Sequence, residues 1–455
     1  MSRLALHLND AGITVSDGER ITYREPGCAW LGESALTTGN DAFAHSRIDP
    51  RRIQHRFWSG LTTAPLQDRR FSHLSAADLA STQLEHIWGE RSQGVDELVV
   101  AVPPYMAAEN LGLFLGIAGE HKLPVVALVD SAVAATRREY KGAVPVHIDI
   151  SLHHTTLTRI AQPGMAQTDR TEVLDNVGTH ALYDTWLTTL AEAFVSQSRF
   201  DPLHTAETEQ MLLDRLGEWL REASSHDHIA IELETGGRSY SAEVESLALV
   251  GAAAPIYQQI ARMLRSLYRA EDLPAIQVTE RVARMPGLTD LLKARVGGEV
   301  FALEAGATTR GALARSRGSS DAGAGVSLMR ALPWDQAAID IGAHVVDQTS
   351  AGLPTHLLYG HTAYELGYAP LILGSHDSGE AQFIALPAEM PGVSRRHCSV
   401  VRKNGQCVLE DHSRYGTFLN GHRIDGTSVL HVCDALRNGS PGYEFQLIKT
   451  DTMNG

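Results

Sequence analysis

Residues 392–397 have the sequence GVSRRH, residues 410–418 the sequence EDHSRYGTF and residues 419–424 the sequence LNGHRI. Each segment contains a glycine, which allows a tight turn, and at least one arginine. The first two also contain serine or threonine hydroxyls. Arginine offers a planar fork of charged donors, and such donors form the strongest hydrogen bonds to phosphate. If these segments form loops on one face of a domain, they would make a site for a phosphate dianion.

The residues around these segments predict β-structure. Residues 398–402 and 406–409 are short strand-like runs, and Asn404-Gly405 separates them. Asn-Gly between two such runs is the strongest short signal for a β-hairpin. Similar short runs separated by turns continue from residue 354 onward. We therefore predict an all-β sandwich at residues 354–455.

The three segments contain the motifs Ser-x-x-His, Ser-x-x-Gly-Thr and Asn-Gly, in that order. In order and spacing they resemble the forkhead-associated (FHA) domain, a β-sandwich that binds phosphothreonine peptides. The resemblance covers about residues 354–450. It implies that Ser394 bonds a phosphate oxygen with Arg395 or Arg396 beside it, that Arg414 makes a second phosphate-side contact, and that Asn420 holds the peptide backbone or the loop.

One position departs from the FHA pattern. The family usually has Gly-Arg at the end of an early strand, where the arginine is a main phosphate ligand, but here Gly374 is followed by Ser375. Loss of one charge-assisted hydrogen bond costs about 1.5–3 kcal/mol. Two hypotheses therefore stay open. The domain either binds a phosphothreonine peptide with fewer contacts, or binds an unmodified partner.

The composition excludes several classes of protein. The chain has 455 residues, 43% of them hydrophobic, which is typical of two or three globular domains. Its formal net charge of -15 argues against nucleic acid or an anionic membrane surface as the partner. We find no signal-peptide pattern and no apolar run of about 18 residues. The 4 cysteines lack Cys-x-x-Cys spacing, so we expect reduced thiols, no metal site and a cytoplasmic location.

A glycine- and serine-rich stretch at residues 316–325 marks the clearest break in the chain. We predict a first domain at 1–315, a linker at 316–353 and the β-sandwich at 354–455. In the first domain strand-like and helix-like segments alternate, as in α/β proteins. No internal repeat is visible in the sequence.

Three segments of the first domain occur in a characteristic order. They are ELVVAVPP at residues 97–104, LPVVALVDSAVAA at 123–135 and IQVTERVARMPGL at 276–288. This order resembles the actin and heat-shock chaperone (DnaK-type) ATPase superfamily over about residues 1–315. The resemblance implies a two-lobed, ribonuclease-H-like α/β domain with a nucleotide site between the lobes.

The loops expected to hold the nucleotide have lost their glycines. Close backbone approach to phosphates needs glycine, and Mg²⁺ needs acidic ligands. The first loop has His7 and Asn9 in place of Asp and Gly, and the adenosine loop has Glu280-Arg281 in place of Gly-Gly. We therefore predict a degenerate nucleotide site with no catalytic residue and no metal ligand, comprising His7, Asn9, Asp10, Asp130, Asp149, Ser151, Glu280 and Arg281.

Together these observations predict a non-catalytic adaptor in which a pseudo-ATPase domain is tethered to an FHA module. Its expected partner is a protein, either phosphorylated on threonine or unmodified. A homologous chaperone-like protein or a kinase is a further candidate, in a setting typical of bacterial signalling. No cofactor is expected. The alternatives are an atypical ATPase that binds ATP with Mg²⁺ under control of the FHA domain, and an actin-like protein that polymerises or pairs laterally with a true ATPase.

Overall fold

Contacts between Cα atoms divide the chain into two units, Met1–Ile341 and Gly342–Gly455. The computed structural model describes residues 2–33, 35–89, 91, 93–316, 326–341, 353–359, 362–376, 382–387, 392–403, 406–419, 422–432, 434–439 and 442–448.

The first unit is mixed α/β, as the alternation of segments predicted. Its strands are β1 (Arg3–His7), β2 (Ile13–Ser16), β3 (Ile21–Glu25), β4 (Ala29–Leu31), β5 (Leu36–Thr38), β6 (Ile53–Gln54), β7 (Glu97–Val102), β8 (Val125–Asp130), β9 (Tyr140–Lys141), β10 (Val144–Ile150), β11 (His154–Ala161), β12 (Ala166–Asp175), β13 (His228–Thr235), β14 (Arg238–Glu245), β15 (Pro274–Val278), β16 (Glu299–Ala302), β17 (Leu328–Met329), β18 (Ala331–Leu332) and β19 (Ile339–Asp340). Its α-helices are α1 (Gly39–Phe43), α2 (Ala76–Gly89), α3 (Ala108–Glu120), α4 (Ser131–Ala135), α5 (Thr179–Ser198), α6 (Ala206–Ala223), α7 (Ser246–Ser266), α8 (Glu280–Ala283), α9 (Leu288–Val296) and α10 (Ala307–Arg315).

Two six-stranded sheets in this unit share one strand plan. The first has the order β17-β8-β7-β1-β2-β3 and the second the order β16-β15-β10-β11-β12-β18. In each, three strands form an antiparallel meander, and the first of them also pairs in parallel with a later strand. The sequence shows no repeat, so this duplication is visible only in the topology.

Both faces of the first sheet are covered, which explains why its strands are apolar along their length. Successive side chains of a strand point to opposite faces. Leu98 and Val100 of β7 accordingly face one core with residues of α2 and α3, while Val99 and Ala101 face another core with α4 and α10.

The helices α4 and α10 cross at small residues. A Cβ atom on Gly311 would lie 1.9 Å from the carbonyl oxygen of Ala134, so only glycine allows this approach. The buried guanidinium of Arg315 then donates to the carbonyl oxygens of Val133 at 2.7 Å and Thr136 at 2.8 Å. These bonds satisfy carbonyls at the end of α4 that have no partner inside the helix.

Residues 28–75 form an insertion between β3 and α2, which we call the insert. It contains the three-stranded sheet β5-β4-β6 and the helix α1. The insert is anchored against the first sheet, because Phe57 and Trp58 pack into the core beneath α2 and α3. We call the first sheet with its helices the first lobe, and the second sheet with its helices the second lobe.

The first unit extends beyond residue 315. Residues 326–341, which the composition assigned to a linker, add strands to it: β17 pairs with β8, β18 with β12 and β19 with β9. The structure therefore places these residues in the first unit rather than in a tether. The rest of the predicted linker, at 317–325 and 342–352, lies outside the described residues.

The second unit is an all-β sandwich, as predicted. A six-stranded sheet, β21-β20-β30-β29-β26-β27, and a five-stranded sheet, β23-β22-β24-β25-β28, enclose an apolar core. Strands β24 and β25 form the predicted hairpin, while its turn residues 404 and 405 lie outside the described part of the chain. The strands are β20 (His356–Tyr359), β21 (Thr362–Glu365), β22 (Leu371–Gly374), β23 (Phe383–Ala385), β24 (Cys398–Lys403), β25 (Gln406–Asp411), β26 (Thr417–Leu419), β27 (His422–Arg423), β28 (Thr427–Leu430), β29 (Ala435–Asn438) and β30 (Tyr443–Ile448).

Candidate functional site

The loop before β24 and the loop between β25 and β26 meet at Ser394. The hydroxyl oxygen of Ser394 accepts a hydrogen bond from the backbone N–H of Arg414 at 3.1 Å. A serine hydroxyl has one hydrogen to donate in addition to its acceptor lone pairs. Because the oxygen is already held by the neighbouring loop, that hydrogen is free to be donated to an anion.

His397 connects the same two loops from below. Its Nδ1 accepts from the backbone N–H of Ser394 at 3.1 Å, so its Nε2 carries the hydrogen and donates to the carbonyl oxygen of Gly416 at 3.2 Å. The ring is fully buried, and this burial lowers its pKa and keeps it neutral. His397 therefore fixes the distance between the loops.

The second loop has its own network of side-chain bonds. The Oδ1 atom of Asp411 accepts from the Thr417 hydroxyl at 2.7 Å and from the Ser413 backbone at 2.9 Å. The Ser413 hydroxyl then accepts from Gly416 N–H at 2.7 Å. Gly416 has a φ of 91°, and a Cβ atom there would lie 2.7 Å from Nε of Arg423. Only glycine tolerates both conditions.

The position where an arginine is usual lies directly beside Ser394. The backbone N–H of Ser375 donates to the Ser394 carbonyl at 3.1 Å, and that of His376 donates to the Arg395 carbonyl at 3.2 Å. A Cβ atom on Gly374 would lie 2.0 Å from the same Arg395 carbonyl. The end of β22 is thus part of this site, but it contributes a serine and an exposed histidine instead of a guanidinium.

Three of the predicted site residues near Ser394 are arginines on these two loops. Arg395 and Arg414 are exposed, and Arg396 is exposed beside them. Tyr415, next to Arg414, is 57% exposed and was not predicted as a contact. Asn420 lies outside the described residues.

The first unit has a second candidate site between its two sheets. The carboxylate of Asp149, at the end of β10, accepts from Asn9 Nδ2 at 2.7 Å and from the Thr279 hydroxyl at 2.9 Å. One guanidinium nitrogen of Arg281 and Nε2 of His7 each lie 3.8 Å from it. Four residues of the predicted degenerate site therefore converge here, and Thr279 joins them.

Electrostatics keeps Asp149 ionised. Burial alone would raise the pKa of its carboxyl, but the Arg281 guanidinium and the other neighbours more than offset this effect, so the pKa lies below its ordinary value. For His7, burial is the main cause that lowers the pKa to about 4, so this ring is neutral near pH 7.

The side chains of Asn9, which follows β1, and Arg281, which follows β15, meet at the end of β10. Both donate to the carbonyl oxygen of Ile150, Asn9 at 3.2 Å and Arg281 at 3.0 Å. A Cβ atom on Gly12 would lie 2.6 Å from the Arg281 guanidinium, which shows how closely that group lies against the first loop.

Asp10 and Ser151 take part in contacts within and between loops. The Oδ1 atom of Asp10 accepts from the Leu152 backbone at 2.7 Å, while its buried Oδ2 has no hydrogen-bond partner among the described residues. Burial raises the pKa of Asp10 to about 6. Ser151 closes a tight turn by donating to the His154 carbonyl at 3.2 Å. Among the described residues, no group of three or more His, Cys, Asp or Glu is arranged to hold a metal ion.

Beside Asp149 the cleft opens into a cavity of about 290 Å³. Glu280 lies at its edge, paired with Arg24 at 3.2 Å and also with Arg284. The wall of the cavity also contains aromatic and apolar side chains that were not predicted from the sequence: Tyr183 and Trp186 of α5, Leu220 of α6, and Met285 between α8 and α9. Those of α5 and α6 are distant in sequence from the predicted loops.

Asp130 does not line this cavity. Its Oδ1 atom accepts from the backbone of Ala132 at 2.9 Å and of Val133 at 3.4 Å, so it is the N-cap of α4. Its Oδ2 atom accepts from the Thr168 hydroxyl at 2.9 Å. The structure thus separates Asp130 from the other residues of the predicted degenerate site.

A comparison with models of known protein families finds a match in the second unit. Residues 371–439 match the family model of the FHA domain. The match includes Ser394 and Arg414, so these loops belong to an FHA domain, a protein-interaction module. The search of curated proteins finds no match to the chain. No helix in the described ranges combines the length and the apolar character needed to cross a membrane.

Proposed function

We propose that the protein is a non-catalytic adaptor whose FHA domain binds a protein partner through a phosphothreonine. The observation that carries this proposal is the arrangement at Ser394. Its hydroxyl is oriented by the Arg414 backbone and lies on loops that also carry the exposed residues Arg395 and Arg414, within a domain matched to the FHA family. This arrangement offers donors to a dianion, which are the contacts that phosphate needs.

The serine at position 375 lowers the expected affinity but leaves the chemistry of the site intact. One absent charge-assisted bond corresponds to about 1.5–3 kcal/mol, or roughly ten- to a hundredfold in affinity. Arg395 and Arg414 still supply positive charge at the site. We therefore expect weak but phosphate-dependent binding rather than recognition of an unmodified peptide.

For the first unit we propose a degenerate member of the actin and DnaK-type ATPase superfamily that does not hydrolyse ATP. The shared strand plan of the two sheets supports the superfamily. The contacts of Asn9 and Arg281 support the loss of activity, because they tie the two loops to each other. In this proposal the first unit serves as a docking surface for one protein, and the FHA domain binds another. Because both sites belong to one chain, the two bound proteins are held close together.

Fluorescence anisotropy of phosphothreonine peptides with the full chain tests the FHA proposal. Peptides from a phosphothreonine library should bind, and dephosphorylated copies should not. Ser394→Ala should weaken binding at least tenfold, because it removes a direct phosphate donor. Ser428→Ala on the edge strand β28 is the matched control and should bind as the natural chain does. Equal binding by the Ser394→Ala chain, or by dephosphorylated peptide, would refute a phosphate-dependent site.

The second candidate function is an atypical ATP-binding protein regulated by its FHA domain. The cavity of about 290 Å³ favours it, because the half-buried Tyr183 provides an aromatic side chain in its wall. Calorimetric titration of MgATP into the full chain separates the two functions. No heat at roughly 1 mM nucleotide, the weak end of the usual range, supports the adaptor. A saturable micromolar signal would favour the nucleotide-binding protein.

A further inference from the structure

Three histidines from distant parts of the first unit meet where the insert touches the second lobe. His55 follows β6 in the insert, His153 lies in the loop between β10 and β11, and His180 lies in the first turn of α5. Nδ1 of His55 is 2.7 Å from Nε2 of His153. The ring centroids are 4.7, 4.9 and 5.4 Å apart, so the three rings form one group, which we call the histidine cluster.

The bond between His55 and His153 cannot form when both rings are protonated. One nitrogen must carry a hydrogen and the other must accept it, which requires at least one neutral ring. If both rings are protonated, two N–H donors face each other at 2.7 Å and repel. Burial is the main cause that lowers the pKa of His55 to about 4 and that of His153 to about 3, so the closed arrangement excludes protons near neutral pH.

The charged groups around the cluster have both signs. Arg56, next to His55, donates to Asn176 at 3.0 Å and adds positive charge. The carboxylate of Asp184 lies 3.2 Å from His180 and is also paired with Arg47 of the insert. The remaining titratable or charged groups nearby are His154, which lies 3.4 Å from Asp175, Tyr105, which is in ring contact with His154, and Glu209, which pairs with Arg47 at 3.3 Å.

A metal is not the natural occupant of this cluster. Two nitrogens bound to one tetrahedral zinc ion at 2.0–2.1 Å would be about 3.3 Å apart. The distance between His55 and His153 is shorter, at 2.7 Å, and a direct hydrogen bond accounts for it.

The cluster is one of a few polar links between the insert and the second lobe. A second link on the His55 side is the bond from Arg56 to Asn176 at 3.0 Å. Elsewhere in the insert, the Arg47 backbone donates to Gln210 at 2.8 Å, Gln210 donates to the Phe43 carbonyl at 3.3 Å, and the Arg47 guanidinium pairs with Asp184 and Glu209. Phe43 also packs against the second core. Loss of the histidine contact would therefore loosen the His55 side of the insert, where the exposed bond from Arg56 to Asn176 remains, while the Phe43 side stays attached.

We propose that the histidine cluster is a proton-sensitive latch: protonation of His55 and His153 releases this side of the insert from the loop between β10 and β11. That loop also contains Leu152, and the backbone N–H of Leu152 donates a hydrogen bond to the carboxylate of Asp10. Opening of the latch loosens the wall of the cleft, so acidification exposes a surface that is closed at neutral pH.

The expected size of the effect follows from linkage between protonation and opening. Histidines released from the latch titrate near the ordinary pKa of about 6.5, whereas the closed latch does not take up protons until well below that value. Stability of the closed state is therefore complete above about pH 6.5 and falls as the pH drops toward the lowered pKa values. Between pH 7.5 and 5.5 each histidine raises the ratio of open to closed molecules about tenfold, so the pair raises it about a hundredfold.

Amide hydrogen exchange of the full chain at pH 7.5 and 5.5, corrected for the intrinsic pH dependence of exchange, tests the latch. Peptides that cover residues 50–58 and 149–156 should lose about a hundredfold in protection at pH 5.5. The double variant His55→Gln with His153→Gln keeps hydrogen-bonding groups but cannot titrate, so its protection should not change with pH. His204→Gln, on an exposed turn, is the matched control and should behave as the natural chain does.

Two results would overturn the latch. One is equal protection of these peptides in the natural chain at both pH values. The other is an undiminished pH response in the double glutamine variant. If the double variant fails to fold, the natural chain still shows whether protection depends on pH. The single variant His55→Gln then shows whether the histidines cause that dependence. Its pH response should be about tenfold instead of a hundredfold.

Discussion

Replacing Asp10 with asparagine should stabilise the first unit at neutral pH, although it removes a charged residue from the cleft. Asp10 is 1% exposed, and one of its two carboxyl oxygens has no hydrogen-bond partner among the described residues. Its pKa is raised to about 6 from the ordinary 3.8, mainly by burial. That difference corresponds to about 3 kcal/mol of unfavourable free energy when the carboxyl is ionised. An asparagine keeps an oxygen for the Leu152 backbone and avoids that cost.

The sign of the pH dependence follows from the raised pKa. Protonated Asp10 contributes stability that is fully present below about pH 3.8 and is lost as the pH rises through about 6. The natural chain and the Asp10→Asn variant should therefore be about equally stable near pH 4. They should differ by up to about 3 kcal/mol at pH 8, with the variant the more stable.

Chemical denaturation at pH 4 and pH 8, followed by tryptophan fluorescence, measures this difference. The 6 tryptophans all lie before residue 342, so the signal reports on the first unit alone. Asp17→Asn is the matched control, because the backbone N–H groups of Arg20 and Glu19 lower the pKa of Asp17, and its substitution should destabilise. The reasoning fails if Asp10→Asn gives no gain at pH 8, or the same gain at both pH values.

Two further predictions concern packing and loop geometry. Gly311→Ala should destabilise the first unit by about 1–3 kcal/mol in the same denaturation assay, because its Cβ would overlap the Ala134 carbonyl at the helix crossing. Gly217→Ala in α6, where no atom lies within 4 Å of the new Cβ, should instead stabilise by about 0.5–1 kcal/mol, and the same sign for both would contradict the crossing. His397→Ala should weaken phosphopeptide binding at least tenfold in the anisotropy assay, since Ser394 and Gly416 lose their shared partner. Unchanged affinity would show that the ring does not position the loops.

Short-range patterns were enough to predict the second unit. The Asn-Gly hairpin, the motif order around Ser394 and the apolar runs are local features, and local backbone preferences act over only a few residues. For this reason an all-β FHA domain could be predicted without coordinates. The alternation of strands and helices likewise predicted the α/β class of the first unit. The extension of that unit to Ile341 was not predictable from composition, because residues 326–341 gain their structure by pairing with strands far away in the chain.

The sites of the first unit depended on tertiary structure. The sequence alone showed that the loops expected to hold a nucleotide lack glycine. It did not reveal that Asn9 reaches Asp149 across 140 positions, or that His55 meets His153 across 98. Hydrogen bonds between side chains require distances of about 3 Å, and no sequence pattern encodes a distance between segments that only the folded sheets bring together. The residues available to the cleft and to the histidine cluster were thus set by the sequence, and their pairing was decided by the fold.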